Sequence, residues 1–306
     1  MPKNEIKRIH TISDFHRHKG IAQPEHPLIS INNFDDIPLP KAGETEQLVL
    51  DFYSIALKRN PGARIKYGQQ EYDFNDGLMF FIAPGQVFSI EHDGSPASKV
   101  SGWLLLVHPD FLWNSPLAKG IRQYEYFGYS ANEALFLSGR EEQTIVQIIH
   151  NTRREYLTNI DAFSQQIILS QLELLLNYAD RFYHRQFITR KITNHKILEQ
   201  FEELLNMYLD DGSTLSRGLP SVQYFAEALR ISTNYLSSLL KVLTGQSTQQ
   251  HIHEKLIQKA KEKLTTTQLT ISEIAYELGF EHPQSFSKLF KSKTNSSPLE
   301  FRQSFH

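Results

Sequence analysis

The segment VQYFAEALRISTNYLSSLLK, Val222 to Lys241, returns further along the chain as ISEIAYELGFEHPQSFSKLFK, Ile271 to Lys291. No other feature constrains the fold as much as this internal repeat. Val222, Phe225, Ala226, Leu229 and Ile231 align with Ile271, Ile274, Ala275, Leu278 and Phe280 at an offset of 49. Leu236, Leu239, Leu240 and Lys241 align with Phe286, Leu289, Phe290 and Lys291 at an offset of 50. In each copy the apolar residues recur at three-and-four spacing, which puts them on one side of a helix. Gly279 supplies the left-handed backbone that ends a helix, and Pro283 suits the first turn of the next, where its missing N–H costs nothing. Each copy therefore reads helix, tight turn, helix, and the exits TGQST and TNSSP correspond as well.

Between the copies, TQQHIHEKLIQKAKEKLTTT predicts a helix of about 17 residues, roughly 25 Å long. A connector of that length can hold two units side by side, and successive major-groove faces on one side of B-DNA are about 34 Å apart. Both second helices carry polar residues expected on their outer faces: Thr233, Asn234, Ser237 and Ser238 in the first, Gln284, Ser287 and Lys288 in the second. Solvated surface would account for either set alone. A duplicated unit serving only as packing would not need both.

Bulk charge adds little. The chain of 306 residues has a formal net charge of −2. Residues 221–306 hold 10 Lys and Arg against 7 Asp and Glu, and counting from Asn194 brings the segment to zero. An argument for DNA must rest on geometry. Hydrophobic residues at 40% and charged residues at 22% describe a globular chain long enough for two cores. With no cysteine, disulfides, thiolate zinc sites and cysteine nucleophiles are excluded, and a reducing cytoplasm is the expected location. The N-terminus MPKNEIKRIH has no long apolar run, and LMFFIA and WLLLV are too short to cross a bilayer.

Residues 28–108 carry short apolar or alternating runs, among them LISINNF, LVLDFYSIAL, LMFFIAP and VSGWLLLVHP. They are separated by turn signals at Pro61-Gly62, Asn75-Asp76-Gly77, Pro84-Gly85 and Asp93-Gly94-Ser95-Pro96. That spacing predicts a small barrel or sandwich. Glycine and proline then vanish from Glu141 to Gly212, and two long helices are expected, with Ile145, Ile148 and Ile149 on one face and Ile168, Leu172, Leu175 and Leu176 on another. Helices this apolar must be covered, both by the barrel and by a second copy, so a homodimer through residues 141–183 is expected. The basic, β-branched stretch at 187–193 is assigned as the linker between domains 1–186 and 194–306.

The pattern AEALRISTNYLSSLLKVLTG, a helix containing KAKEKL, then ISEIAYELGFEHPQSFSKLFK and SSPLEFR, resembles the DNA-binding domain of the AraC/XylS family of transcriptional regulators. The resemblance covers about residues 194–305 and is most specific in the second copy. VHPDFL from Val107, in its barrel context, is similar to the sensing and dimerising domain of the same family. The resemblance implies an α+β protein of two domains: an N-terminal cupin-like β-barrel with two long helices, and an all-α C-terminal domain with two helix-turn-helix units. It implies a bacterial regulator, not an enzyme, that binds double-stranded promoter DNA, with RNA polymerase as a further partner and no cofactor. Carried over by position, Asn234, Ser237 and Ser238 face base edges from the first recognition helix, and Gln284, Ser287 and Lys288 from the second. Gln284 can pair with adenine and Lys288 with guanine. Lys241, Lys291 and Lys293 either meet phosphates or complement the helix C-terminal dipole. Asn295 stands where the family usually has glycine, and asparagine tolerates left-handed backbone.

A cupin-like metal enzyme is the rival reading. It needs closely spaced histidines and a carboxylate converging from neighbouring strands. His16 and His18 precede the strands, His92 and His108 are isolated, and His251 and His253 point to different sides of a helix. No metal set emerges. The barrel is instead expected to take a small effector, lined by Tyr53, Tyr67, Phe81, Phe88 and Trp103, with Arg64 as a cation for an anionic group; on small-barrel strands such aromatics are more often plain core.

Overall fold

The computed structural model describes residues 6–38, 45–59, 77–91, 101–130, 133–158, 163–189, 191–210 and 213–304. The chain divides into two compact units, Met1–Gln186 and Phe187–His306.

The first unit runs β1 (Lys7–Ile9), α1 (Ile12–Lys19), β2 (Ile29–Asn33), β3 (Thr45–Leu50), β4 (Tyr53–Arg59), β5 (Leu78–Ile82), β6 (Val87–Glu91), β7 (Ser101–Val107), α2 (Leu117–Gly120), β8 (Leu135–Phe136), α3 (Gly139–Tyr156) and α4 (Ser164–Thr189), the last turn of α4 lying past the unit boundary. One sheet has the order β1-β3-β6, the other β2-β7-β4-β5-β8. β1 and β3 are parallel, and every other pairing is antiparallel.

Register explains the layering. Ala56 pairs with Phe80 on one side and Leu104 on the other, and Ile55 pairs with Phe81 and Leu105. Successive side chains on a strand point to opposite faces. The row Phe80, Ala56, Leu104 therefore turns toward the three-stranded sheet, sharing a core with Ile9, Leu48 and Leu50. The next row faces the helices, where the Phe81 ring lies 4.5 Å from Tyr126 and 6.3 Å from Tyr183 of α4. Ile145, Ile148 and Ile149 of α3 and Ile168, Leu172, Leu175 and Leu176 of α4 are buried. Arg185 ties α4 down, donating to Glu141 at 3.0 Å and to the Phe136 carbonyl at 2.7 Å.

Among the described residues the strands form two sheets and no closed barrel, which corrects that part of the sequence expectation. The chain passes from one sheet to the other between β1 and β2, β2 and β3, β3 and β4, β5 and β6, and β6 and β7, so its strands build two layers that share a core.

The second unit is all helix: α5 (Lys191–Asp210), α6 (Ser213–Arg217), α7 (Val222–Leu229), α8 (Thr233–Thr244), α9 (Thr248–Thr266), α10 (Ile271–Glu277), α11 (Pro283–Thr294) and α12 (Pro298–Gln303). A single core joins Phe201 and Leu205 of α5, Phe225 of α7, Leu236 and Leu240 of α8, Leu256 and Ala260 of α9, Ile274 of α10, and Phe286 and Phe290 of α11. α9 is thus part of the packed body. Residues 187–193, read as a linker from composition, are helical through Thr189 and again from Lys191. Phe187 is only 1% exposed, its ring 5.1 Å from Tyr235, and the buried Asn194 side chain donates to its carbonyl at 2.7 Å.

Candidate nucleic-acid interface

Two short-helix pairs, α7–α8 and α10–α11, are built by matching local chemistry. Ser221 caps α7 by accepting from the Tyr224 N–H at 3.2 Å, and Thr270 caps α10 by accepting from Glu273 N–H at 3.2 Å, with the Glu273 carboxylate reaching back to the Thr270 N–H at 2.7 Å. Such reciprocal caps satisfy donors that a helix start leaves open. They also hold the Glu273 carboxyl below its ordinary value, the backbone hydrogen bond first and the threonine hydroxyl second.

The turns repeat bond for bond. Ile231 N–H donates to Ala226 O at 3.0 Å, and Phe280 N–H donates to Ala275 O at 3.0 Å, the same 49-residue offset as the apolar pattern. Each bond needs a left-handed residue just before it. That residue is Gly279 (φ 87°) in the second pair and Arg230 (φ 57°) in the first. Arg230 was overlooked in the sequence; the repeat itself, by aligning it with Gly279, carries the signal. The exits match too: Gly245 N–H donates to Lys241 O and Asn295 N–H to Lys291 O, both at 2.9 Å, with Asn295 at φ 60°. Asparagine adopts here the left-handed backbone expected of it.

α11 presents Gln284, Lys288 and Lys291 exposed along one face, with Ser287 half-buried beside them and Lys293 exposed at its end. On α8, Asn234 and Lys241 are exposed, while Ser237 is half-buried, its hydroxyl 3.3 Å from that of Thr248. Ser238 is only 9% exposed, which corrects its placement at a base edge. It sits one position round the helix from Ser237, between Tyr235 and the core residue Leu239, both buried. Lys241, Lys288, Lys291 and Lys293 make no ion pair among the described residues, in contrast to Lys259, paired with Asp210 at 2.8 Å, and Lys263, paired with Glu277 at 2.6 Å. Lys196 of α5 and Lys255 and Lys261 of α9 likewise make no ion pair among the described residues, so the second helices share this feature with other helices of the unit.

The described residues among those expected to line an effector pocket lie in different surroundings, apart from Tyr53 and Phe81, which both pack on Phe127. Phe81 is sealed among Tyr126, Phe127 and Tyr183, and Trp103 lies beside His150 and Arg153 of α3. Phe88 belongs to the core between the sheets. Tyr53 borders a void of about 10 Å³ with Leu172 and Leu176, room for one water. Arg64 and Tyr67 lie outside the described residues. Among the described residues no group of three or more His, Asp or Glu is placed to hold a metal, and no helix is long and apolar enough to cross a membrane.

Comparison with known proteins falls on the same segment. Residues 225–304 match the family described as "Helix-turn-helix domain". The uncharacterized HTH-type transcriptional regulator YfiF of Bacillus subtilis is 32% identical over 139 residues, covering 45% of this chain and 41% of that protein. The C-terminal domain of the two-component response regulator yesN from Fusobacterium nucleatum is 32% identical across 96% of its length and 33% of this chain, at a TM-score of 0.30. The C-terminal unit holds a helix-turn-helix domain of the AraC type. A transcriptional regulator from Chromobacterium violaceum described by its AraC-type DNA-binding domain is 20% identical, covering 37% of this chain and 96% of that one, at a TM-score of 0.31. The chain spans less than half the length of the curated relatives it matches.

Proposed function

We propose that the chain is a promoter-binding transcriptional regulator, without enzymatic activity, acting in the cytoplasm. In this reading α7–α8 and α10–α11 are two helix-turn-helix units that enter adjacent major grooves of double-stranded DNA. Asn234, Ser237, Gln284, Ser287 and Lys288 meet base edges, and Lys241, Lys291 and Lys293 meet phosphates. The observation that carries the reading is the doubled turn: the same backbone bond, 49 residues apart, with exposed unpaired lysines on both second helices. Packing alone would not call for the same turn twice with an open cationic face on each.

The first unit is the sensing and dimerising part, with a cupin-like ancestry for its two sheets and a small effector as its ligand. Homodimerisation is supported by α4, where Ile167 and Leu174 are 44% and 42% exposed and seven residues apart, the spacing of a coiled-coil seam. RNA polymerase is a further partner. An effector would act by binding one arrangement of the readers more tightly than another.

The experiment is selection of bound fragments from sheared bacterial genomic DNA by the purified chain at near-physiological salt. Enriched promoter fragments sharing paired motifs about one helical turn apart are the expected result. Recovery no more selective than that of a basic control protein would remove the regulator reading.

A further inference from the structure

The two helix pairs share a turn but not its surroundings. Arg230 and Gly279 hold the same left-handed place, at φ 57° and 87°. The first turn thus accepts a side chain there, so left-handed backbone alone does not demand glycine in the second. Gly218 does. A β-carbon on Gly279 would stand 2.7 Å from the Gly218 carbonyl carbon and oxygen and 2.9 Å from the Leu219 nitrogen, closer than folded chains allow.

Gly218 lies in the segment leading into α7, so this contact joins the first half of the unit to the turn of the second. Hydrogen bonds hold it from both sides. The Tyr208 hydroxyl of α5 donates to the Gly218 carbonyl at 3.1 Å, and the Tyr208 ring packs 4.9 Å from Tyr224 and 6.1 Å from Phe225 of α7. The Gly218 N–H donates to the Thr214 carbonyl at 3.0 Å. The last carbonyls of a helix have no partner within it; the buried Thr214 hydroxyl of α6 supplies one, donating to the Glu277 carbonyl of α10 at 2.6 Å. Lys263 of α9 holds the Glu277 carboxylate at 2.6 Å.

Two routes therefore connect the helix pairs. One is α9, whose Leu256 and Ala260 lie in the shared core; the other runs from Tyr208 through Gly218 to Gly279. Helices packed through side chains can slide by small shears. Backbone pressed on backbone, and hydrogen-bonded on both sides, resists that sliding.

We propose that the path from Tyr208 through Gly218 to Gly279, locked by Thr214, makes the chain read the spacing between its two DNA half-sites as well as their sequence. Tyr208 and Thr214 are the positioning residues. This rests on the reading of α7–α8 and α10–α11 as a pair of DNA readers. One extra base pair between half-sites moves the second by about 3.4 Å along the duplex and turns it by about 35°. Readers held at one angle cannot follow both changes.

The test is anisotropy titration of the full chain on a DNA fragment recovered in the selection above. It is compared with versions carrying one base pair inserted or removed between the two motifs, and with versions in which one motif is scrambled. The proteins are the wild type, Tyr208→Phe, Thr214→Val and Thr214→Ser. The wild type should bind the altered spacings on the order of 10²-fold more weakly, because a geometry that forbids simultaneous engagement forfeits the gain of linked readers. Tyr208→Phe and Thr214→Val each remove one hydroxyl and keep the ring or the branching. They should bring that ratio to about tenfold or less, with binding to single-motif fragments unchanged. Thr214→Ser keeps the hydroxyl and should keep the ratio. General destabilisation would weaken all fragments together and leave the ratio where it was. A ratio unchanged in Tyr208→Phe and Thr214→Val, or lost equally in Thr214→Ser, overturns the positioning role. A wild type selective for sequence but indifferent to spacing overturns the proposal while the regulator reading stands. Binding without any sequence selectivity removes both.

Discussion

Gly279 lies so close to Gly218 that a β-carbon on Gly279 would stand 2.7 Å from both the carbonyl carbon and the carbonyl oxygen of Gly218. The loop after α6 is pressed onto the turn of the second helix pair, and Thr214 reinforces it by donating to the Glu277 carbonyl at 2.6 Å. Two penalties therefore meet at one position. Gly279→Ala places a side chain on left-handed backbone, about 1 kcal/mol or more, and drives it into backbone that cannot swing aside, typically about 1–3 kcal/mol. Urea denaturation should show a loss of about 2–4 kcal/mol. A loss under 0.5 kcal/mol would mean that the turn does not hold this geometry.

Phe187 is expected to behave as part of the DNA-binding unit. Its ring packs on Tyr235 of α8 and its carbonyl is capped by Asn194. Phe187→Ala should cost about 3 kcal/mol, in the range for buried aromatics. A fragment comprising residues 187–306 should melt higher than one beginning at residue 195, by several degrees. Equal melting temperatures would return the segment to the status of a linker.

The second unit was legible in the sequence because each helix signals its own ends and faces. Ser221, Thr270 and Ser297 stand at helix starts, Gly245 and Asn295 at helix ends, and the buried residues fall at helical spacing. The interior of the first unit was less legible. Strand alternation says that Phe81 and Phe88 are each turned inward, but not that Phe81 leaves the five-stranded sheet toward the helices while Phe88 leaves the three-stranded sheet toward the core between the two. Sheet order depends on contacts distant in sequence, which no local pattern encodes. Ser238 failed for a smaller reason: one position round a helix is 100°, enough to move a serine from the outer face to the core side. Residues 187–193, expected as a linker, are helical through Thr189 and again from Lys191, because β-branched residues are weak helix formers and not helix breakers.

Base and phosphate roles separate by their salt behaviour. Gln284→Ala and Lys288→Ala should each cost about 1–3 kcal/mol against the preferred sequence and little against random DNA. Lys291→Ala and Lys293→Ala should weaken both alike and lower the slope of log affinity against log salt by about 1 each. Ser238→Ala should leave base preference unchanged. Binding to a panel of single-base variants at several salt concentrations reads all of these. Unchanged selectivity in the Gln284 and Lys288 variants would reassign the reading face.

Lys58 makes stability depend on pH in an unusual direction. Its folded value, about 8, lies below its unfolded value of 10.5, so between those limits the unfolded chain binds more protons and stability rises with pH. The penalty is fully present below pH 8 and is relieved as pH climbs toward 10.5, by up to about 3 kcal/mol. Tyr53 and Tyr156, whose hydroxyls are pushed up mainly by burial, oppose this only near and above pH 10. The readout is the difference between the wild type and Lys58→Met from pH 7 to 9.5, which should narrow steadily. A constant difference would place the ammonium in water.

The exposed stripe on α4 gives the sharpest test of assembly. Ile167 and Leu174 are separated by two helical turns and face outward, while the residues that alternate with them, Ile168, Leu172, Leu175 and Leu176, are buried within the unit. Replacing the outward pair therefore alters the surface without touching the core. Ile167→Glu with Leu174→Glu should leave the circular dichroism spectrum and thermal unfolding of dilute protein unchanged, because the new carboxylates project into water. Two such faces brought together would instead bury four uncompensated carboxylates, a cost no ordinary interface meets. Sedimentation velocity should show the wild type as a dimer at micromolar concentration and the variant as a monomer. On DNA carrying two repeated sites the variant should lose the gain that linked readers confer, on the order of 10²-fold, yet bind a single site as the wild type does. A variant that remains dimeric would move the interface off α4.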